Sequence, residues 1–386
     1  MATLLERAPA APLADADKPL DAAAWAGIQR LLDDYAELGP DDRVVIAYSP
    51  DARDPAAWVG IACEERGIAV RFVPLRPLHD EGFGERFAAA VPLACGQAGR
   101  TVVLTFERDT MSHHGEIRAH LSRFPPDRYR VIRAINAGHA LFAIGLGVGP
   151  DRLTALNATL LDRLRAASKL RIRSDAGTDL RITLDNRRFQ WISNRGVAQP
   201  RQFVILPAGE VATYPARIDG TLVADFALNV NMLYEGDVRL AETPVTAEIR
   251  DGVLTGFDCA NRPMRDFLER CFARDNARRV GELGFGSNEA VVEAVPENSH
   301  LNERVPGVHL GFGQHNQTND ATGYECDVHV DLCAQGGRVW LDDDPEPLDL
   351  GNLTPSGAAH PDFVRDEDVF SEEIQVEDCC GLLARS

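Results

Sequence analysis

The chain has 386 residues, of which 45% are hydrophobic and 26% charged, and its formal net charge at pH 7 is −19. Such a composition is typical of a globular protein and excludes a disordered chain, and the length allows two or three domains. The excess of negative charge repels phosphate backbones, and no apolar run approaches the roughly 20 residues that cross a bilayer. We therefore expect no nucleic-acid partner, no membrane partner and a cytoplasmic location.

The first half of the sequence alternates helices with strands. After an acidic, Pro- and Ala-rich stretch, expected to be a flexible leader over residues 1–20, a run with the spacing of an amphipathic helix ends at Gly39. Strands are expected at RVVIAYS, IAVRFVPL, TVVLTF and YRVIRAI, with helical segments between them. This alternation predicts an α/β domain with a doubly wound, mostly parallel sheet over residues 21–168. No glycine-rich phosphate fingerprint follows the first strand, so no nucleotide cofactor is expected.

The character of the sequence changes near residue 169. The segment KLRIRSDAGTDLRITLDN alternates apolar and polar residues on both sides of a turn, and QFVILPAGEVATYP, GTLVADFALNV and VTAEIRDGVLTGFD continue the pattern. Alternation of this kind is typical of antiparallel hairpins. One helix is expected around Pro263 to Arg274. Residues 169–386 are therefore predicted to form an α+β domain rich in antiparallel strands, which carries the functional site and an acidic C-terminal tail.

Side chains that bind metals are concentrated between glycines in this second half. His309 lies in VPGVHLGFG, and His329 and Asp331 lie in CDVHVDL, where residues two apart share one face of a strand. Glu282 lies in GELGFGSN and Glu210 in LPAGEVATYP. Each of these residues alone is more often a hydrogen-bonded core or surface group. As a set, buried carboxylates beside histidines are costly without a counter-cation, and they suit zinc, manganese, cobalt or iron.

The blocks LPAGEVATYP, VGELGFGSN, LNERVPGVHLGFG and CDVHVDL resemble the signature segments of the thermophilic-type metalloaminopeptidases, the family of aminopeptidases T and S. They occur in the family's order over roughly residues 150 to 345. The resemblance implies an α/β first half, a homodimer and a site for two divalent metals, commonly zinc or cobalt. The matching positions would be the metal ligands: Glu210, Glu282, His309, His329 and Asp331.

The sequence departs from the peptidases at one place. Shortly after the histidine matched by His309 they carry a tyrosine thought to assist catalysis, whereas GQHNQTND has no tyrosine before Tyr324. The nearest titratable candidate for a catalytic role is His315. In the resemblance, Glu282 would bridge the metals or help to activate water.

Three functions remain open from the sequence. The first is a metal-dependent hydrolase that acts on the N-terminus of short peptides, with zinc, cobalt or manganese as its metals. The second is an iron-dependent dioxygenase that opens a small aromatic ring, because the related 2,5-dihydroxypyridine dioxygenases look similar over these blocks. Such an enzyme uses two histidines and one carboxylate, here His309, His329 and Asp331. The third is a relative that binds a peptide without cleaving it. The partner is a peptide or another small molecule in each case.

Overall fold

The computed structural model of the protein describes residues 18–91 and 99–365. Most of the predicted leader and the last part of the predicted acidic tail lie outside the described residues. Within them, no helix combines the length and the apolar character that crossing a membrane requires. The helices, numbered in chain order, are α1 (Ala22–Arg30), α2 (Arg53–Glu65), α3 (Phe83–Ala90), α4 (His114–Leu121), α5 (Pro150–Ala166), α6 (Arg262–Phe272) and α7 (Asn319–Thr322).

A five-stranded parallel sheet dominates the first half. Its strands are β1 (Arg43–Tyr48), β2 (Ala69–Pro74), β3 (Thr101–Phe106), β4 (Tyr129–Ala134) and β8 (Phe203–Leu206), in the spatial order β2-β1-β3-β4-β8. Helices α1 and α2 pack on one face of this sheet, and helices α3 and α4 pack on the other. The predicted doubly wound α/β fold is therefore confirmed.

The second half folds into two antiparallel sheets. Their strands are β5 (Lys169–Arg173), β6 (Asp179–Thr183), β7 (Ile192–Asn194), β9 (Glu210–Thr213), β10 (Arg217–Ala224), β11 (Ala227–Val230), β12 (Val245–Arg250), β13 (Val253–Cys259), β14 (Val280–Gly286), β15 (Gly307–Gly313), β16 (His329–Gln335), β17 (Arg338–Leu341) and β18 (Leu348–Asp349). The seven-stranded sheet has the order β13-β12-β10-β6-β5-β17-β18, and the six-stranded sheet has the order β11-β16-β15-β14-β9-β7. A shared apolar core joins the two sheets and helix α6. The predicted antiparallel second half is confirmed.

One strand crosses between the two halves. Strand β8 follows β5, β6 and β7 in the sequence, yet it pairs in parallel with β4, with Val131 opposite Phe203. The QFVIL run was expected to continue the antiparallel pattern, and this expectation was wrong for the part that forms β8. Four apolar residues carry no signal of strand direction, because direction depends on the partner strand. The domain boundary near residue 168 stays a prediction.

Candidate metal centre

The five predicted ligands lie on four neighbouring strands of the six-stranded sheet. Glu210 begins β9, Glu282 is on β14, His309 is on β15, and His329 and Asp331 are on β16. The middle strands pair in register, so that Gly311 lies between Glu282 and Asp331 across the sheet. Gly284 lies directly opposite His309, and Gly286 lies opposite Glu210. Directly opposite residues share one face of an antiparallel sheet, so this face alternates glycines with ionisable side chains.

The glycines provide the space that these side chains occupy. A Cβ atom at Gly311 would lie 2.7 Å from His329 Cε1 and 2.9 Å from Asp331 Oδ1. A Cβ atom at Gly284 would overlap the His309 imidazole. Both distances at Gly311 are shorter than van der Waals contact, so a side chain there would clash. Asp331 and His309 are themselves buried. The glycine-rich motifs GELGFG and HLGFG therefore follow from the shape of the site.

Two groups of contacts bring the five side chains together. The first joins His309 Nε2 to Glu210 Oε1 at 2.9 Å, and one ligand atom from each of Glu210, Glu282 and His309 lies within 4.8 Å of the others. The second joins His329 Nε2 to Asp331 Oδ1 at 3.0 Å and to Glu282 Oε2 at 3.6 Å. Glu282 belongs to both groups, so the two groups form one cluster.

The orientation of His329 indicates that a cation fits here. Its Nδ1 lies 3.1 Å from the backbone oxygen of Gln314, so Nδ1 carries a proton and donates to that oxygen. The other nitrogen, Nε2, faces two carboxylates. In a neutral ring Nε2 would direct a lone pair at carboxylate oxygens, which is repulsive unless a proton or a metal ion lies between them. The buried Asp331 Oδ1 also accepts no well-formed hydrogen bond from the described residues, although His329 is close.

Sequence reasoning missed a second layer of charged residues over the cluster. The one-turn 3-10 helix Asn302–Arg304 packs against strands β11, β14 and β16. Arg304 forms an ion pair with Glu210, lies 3.5 Å from Glu303 Oε2, and donates from Nε to the backbone oxygen of Pro207 at 3.1 Å. Asn229 on β11 donates to Glu303. The charged pair in LNERVPG, directly before a strand, was the available signal.

The cluster contains more negative than positive charge. Among the described residues, the buried carboxylates of Glu210, Glu282, Glu303 and Asp331 lie in this cluster together with the buried guanidinium of Arg304, which contacts Glu210 and Glu303. Burial and the charge of Asp331 raise the pKa of Glu303 well above its usual range. Burial opposes ionisation of Glu210, but Arg304 and His309 outweigh it and lower the pKa of Glu210 to about 2.

The two histidines respond to the same excess of negative charge. Burial disfavours a charged imidazole, but Asp331 outweighs it at His329 and raises the pKa of His329 well above normal. Glu210 raises the pKa of His309 in the same way. Without metal, protons on these rings compensate the carboxylates. Divalent cations would do the same with the imidazoles neutral, and a mixed set of imidazoles and carboxylates suits zinc, manganese, cobalt or iron.

His315 occupies a different position. Its Nδ1 lies 3.0 Å from the backbone oxygen of Gln317, and its Nε2 lies 2.8 Å from the backbone oxygen of Tyr324 and 2.7 Å from the hydroxyl of Thr322. These contacts hold the loop between β15 and β16. Tyr324 is also engaged there, because its hydroxyl donates to the backbone oxygen of Gly313 at 2.9 Å. A catalytic role for His315 stays a prediction.

Comparisons with known proteins show the fold and the family to which the chain is similar. In the solved structures, 2,5-dihydroxypyridine dioxygenase from Pseudomonas putida KT2440 is 18% identical, with a TM-score of 0.58, and the match covers 87% of this chain and 98% of that chain. Wild-type AmpT from Thermus thermophilus is 17% identical, with a TM-score of 0.52, and the match covers 86% of this chain and 99% of that chain. These identities show a shared fold. No curated protein matches the chain.

The resemblance predicted from the signature blocks is confirmed. The chain shares its fold with an aminopeptidase T and with a dioxygenase of the sister branch. The family model described as NicX, 2,5-dihydroxypyridine 5,6-dioxygenase, matches residues 150–354, which is more than half of the chain and includes all five predicted ligands. The chain therefore belongs to the NicX, or 2,5-dihydroxypyridine 5,6-dioxygenase, family.

Proposed function

We propose that this protein is a metal-dependent hydrolase of the aminopeptidase type, which binds two divalent cations and removes the N-terminal residue of short peptides. The observation that carries the proposal is the cluster in which Glu210, Glu282 and His309 converge within 4.8 Å while His329 lies close to both Glu282 and Asp331. Three of these five ligands are carboxylates. A carboxylate that contacts both groups is what a two-metal site requires of a bridging ligand.

The charge balance supports two cations. With all four carboxylates ionised, which bound cations would favour because they oppose the raised pKa of Glu303, and with both imidazoles neutral, the cluster with its one guanidinium carries three negative charges. One divalent cation would leave an excess negative charge inside the protein, whereas a second would reverse the sign and favour an anionic transition state. The cations would polarise the peptide carbonyl and lower the pKa of bound water to roughly 7. Glu282 Oε2, at the junction of the two groups, would orient that water.

A second candidate is a mononuclear iron dioxygenase, which the family match favours. Its ligands would be His309, His329 and Asp331, the two-histidine, one-carboxylate set of non-haem iron oxygenases. The close convergence of Glu210 and Glu282 with His309 supports the hydrolase instead, because a single iron held by His309, His329 and Asp331 would not use these two carboxylates as ligands. The cytoplasmic location, the homodimer and the peptide substrate are proposed together with the hydrolase function.

The test measures metal content and activity together. Purified protein is loaded separately with zinc, cobalt, manganese and, without oxygen, ferrous iron, and bound metal is quantified per chain. Each form is assayed for release of a chromophore from aminoacyl p-nitroanilides and for oxygen uptake with 2,5-dihydroxypyridine. We expect two equivalents of metal and chromophore release. One iron with oxygen uptake would establish the dioxygenase, and a metal-free protein that binds di- and tripeptides without cleaving them would establish the peptide-binding alternative.

The ligand variant Asp331→Asn tests the site itself. It keeps the shape of the side chain but removes one charge, and we expect at least ~100-fold weaker zinc binding, since even outer-shell changes commonly cost 10- to 100-fold. The matched control is Glu289→Gln, which removes a carboxylate from an exposed ion pair with Arg152. Equal zinc affinity in Asp331→Asn and in the control would refute the proposed ligand set.

A further inference from the structure

Two asparagines of the edge strand β11 and its end lie beside the two predicted ligands of β16. Asn229 lies directly opposite Asp331 in the antiparallel pairing of these strands, and directly opposite residues share one face of the sheet. Asn231 follows the last residue of β11, and its backbone nitrogen donates to the backbone oxygen of His329 at 3.1 Å. The two asparagines therefore border the metal-centre cluster on the β11 side of the sheet.

The side-chain amide of Asn229 contacts two carboxylates of the cluster. Its Nδ2 donates to Glu303 Oε1 and lies 3.5 Å from Asp331 Oδ2, at the outer limit of a hydrogen bond. A flipped amide would place Oδ1 against these carboxylate oxygens, so Nδ2 faces them. The residue is buried, and Oδ1 accepts no hydrogen bond from the described residues. The partners that the described residues give this amide are therefore carboxylates of the cluster.

The two carboxylate oxygens of Asp331 consequently have different surroundings. Oδ2 faces the Asn229 amide, whereas Oδ1 lies 3.0 Å from His329 Nε2 and accepts no well-formed hydrogen bond from the described residues. Outer partners of this kind orient carboxylate ligands, because a donor at one oxygen limits rotation of the group. The other oxygen, Oδ1, is then the one available to a cation.

Strand β11 is itself held on both of its edges. On the inner edge, Asn231 Oδ1 accepts from the backbone nitrogen of His329 at 2.8 Å, and Asn231 Nδ2 donates to the backbone oxygen of Asp327 at 3.1 Å. On the outer edge, Asn298 accepts from the backbone nitrogen of Val230 at 2.9 Å and donates to the backbone oxygen of Val230 at 2.6 Å. These bonds fix the backbone from which the Asn229 side chain extends.

We propose that Asn229 is a positioning residue of the metal centre, which holds Oδ2 of Asp331 and thereby directs Oδ1 at the divalent cation. The proposal rests on the metal centre of the hydrolase function proposed above. Unlike Arg304, Asn229 is neutral, so it orients the carboxylate without changing the charge of the cluster. Without this donor, both oxygens of Asp331 are free to turn towards the cation.

Zinc affinity tests whether Asn229 prepares the site. Asn229→Leu has nearly the same size but no donor, and Asn229→Ala removes the amide without adding bulk, should the leucine variant fail to fold. Calorimetric titration of each full-length protein with zinc should show about 10- to 100-fold weaker binding than in the wild type, the usual cost of losing an outer partner of a ligand. Wild-type zinc affinity in a folded Asn229 variant would overturn the proposal.

The matched control is Asn186→Leu, which removes an asparagine amide from the same half of the protein. Asn186 Nδ2 donates to the backbone oxygens of Arg165 at 3.0 Å and Ala167 at 2.9 Å, and its Oδ1 accepts from Trp191 Nε1 at 2.8 Å. None of these partners belongs to the cluster. We expect a lower melting temperature and wild-type zinc affinity. An equal loss of zinc affinity in this control would assign the effect at Asn229 to stability alone and overturn the proposal.

Cobalt(II) absorption tests the orientation of Asp331 directly. The visible bands of cobalt(II) respond to the number and geometry of its ligands, and they weaken as the coordination number rises. In the cobalt-saturated protein, Asn229→Leu should let Asp331 bind through both oxygens and weaken these bands, whereas Asn186→Leu should leave them unchanged. A role in stability alone does not alter the spectrum of folded, loaded protein. Identical spectra in the wild type and both Asn229 variants would overturn the proposal.

The two proposals fail in different ways. Wild-type protein that binds zinc but cleaves no aminoacyl p-nitroanilide would overturn the hydrolase function, while the zinc titration and the cobalt spectrum would still decide the role of Asn229. An active wild-type protein whose Asn229 variants keep its zinc affinity and cobalt spectrum would overturn only the role of Asn229. Wild-type protein that binds no divalent cation would overturn both.

Discussion

Two buried groups of charged residues in this protein differ in their charge balance. In the parallel sheet, Arg133 on β4 pairs with Glu107, which directly follows β3, at 3.2 Å, and both side chains are almost completely buried. Glu107 also accepts from the hydroxyl of Thr110 at 2.6 Å and the backbone nitrogen of Ser112 at 2.8 Å. One positive charge meets one negative charge, and protein groups satisfy both.

The metal-centre cluster has no such balance. Four carboxylates face one guanidinium, and the protein leaves Asp331 Oδ1 without a well-formed hydrogen bond from the described residues. A balanced buried pair needs nothing from solution, whereas an unbalanced one must take up protons or cations. The imbalance of charge, rather than the burial of charge, therefore distinguishes a ligand site from a structural ion pair.

The largest expected effect comes from breaking the balanced pair. The variant Arg133→Met leaves Glu107 buried without its cation, and we expect the free energy of unfolding to fall by about 3–5 kcal/mol, as for other buried pairs that lose one partner. Urea unfolding followed by circular dichroism measures this change. Zinc binding at the six-stranded sheet should be retained in the folded fraction.

The double variant Arg133→Met with Glu107→Gln is the control for this prediction. It removes both charges and should recover most of the lost stability, because the cost arises from the unpaired carboxylate rather than from the lost attraction. If the single variant loses less than about 1 kcal/mol, or if the double variant is less stable than the single one, Glu107 does not depend on Arg133 as proposed.

A smaller effect is expected in the metal-centre cluster, where the loss of an arginine should strengthen zinc binding. Arg304→Met removes the guanidinium that forms an ion pair with Glu210, so the metal-free protein should be destabilised. Zinc should then bind at least about ten-fold more tightly than to the wild type, or ~1.4 kcal/mol, because one positive charge no longer opposes the cation. Isothermal titration calorimetry with zinc, together with thermal unfolding with and without zinc, measures both changes.

The control for Arg304 is Arg152→Met, which removes an arginine from the exposed pair with Glu289. Exposed pairs contribute little, so this variant should match the wild type in zinc affinity and in stability. Weaker zinc binding in Arg304→Met than in Arg152→Met would indicate that Arg304 holds Glu210 in place for the metal, and would contradict the charge argument.

The sequence predicted the part of the cluster that follows strand periodicity. His329 and Asp331 were predicted to share one face of a strand because side chains alternate with a period of two, and His309 was predicted to lie on a second strand. Glu303 and Arg304 were missed because they lie in a single 3-10 turn, which has no periodic pattern. Arg304 contacts Glu210, 94 positions away in the sequence. Only the folded chain brings such residues together.

The fold, too, was predicted only where the sequence has a periodic pattern. Helices and strands in the first half were predicted because their apolar residues recur at regular spacing, and α1 begins where Asp21 caps its first turn. The spacing does not determine which strands become neighbours, so the parallel pairing of β8 with β4 was not foreseen. The hydrogen bond between the backbone nitrogen of His300 and Asn136 was not foreseen either, because these residues lie 164 positions apart in the sequence.

The smallest expected effect concerns His114, which lies beside the ion pair of Arg133 and Glu107, and it tests whether the surroundings of this pair disfavour protonation of the imidazole. His114 Nδ1 lies 3.1 Å from Arg133 Nη1, and its Nε2 lies 3.0 Å from Arg118 Nη2. Burial and these two arginines lower the pKa of His114 to about 3, from an unfolded value of about 6.5. Between these values the unfolded chain binds more protons than the folded one, so the contribution of His114 makes stability fall as the pH drops from about 6.5 towards 3.

The variant His114→Gln should remove this contribution, which has a maximum slope of about 1.4 kcal/mol per pH unit. The difference in unfolding free energy between the variant and the wild type, measured by urea titration from pH 7 to pH 4 with EDTA present, isolates it, because the carboxylates of the metal-centre cluster titrate equally in both proteins. The control His79→Gln should retain the wild-type slope. If His114→Gln also retains it, His114 is protonated in the folded state, and the group in the parallel sheet carries an unbalanced charge of its own.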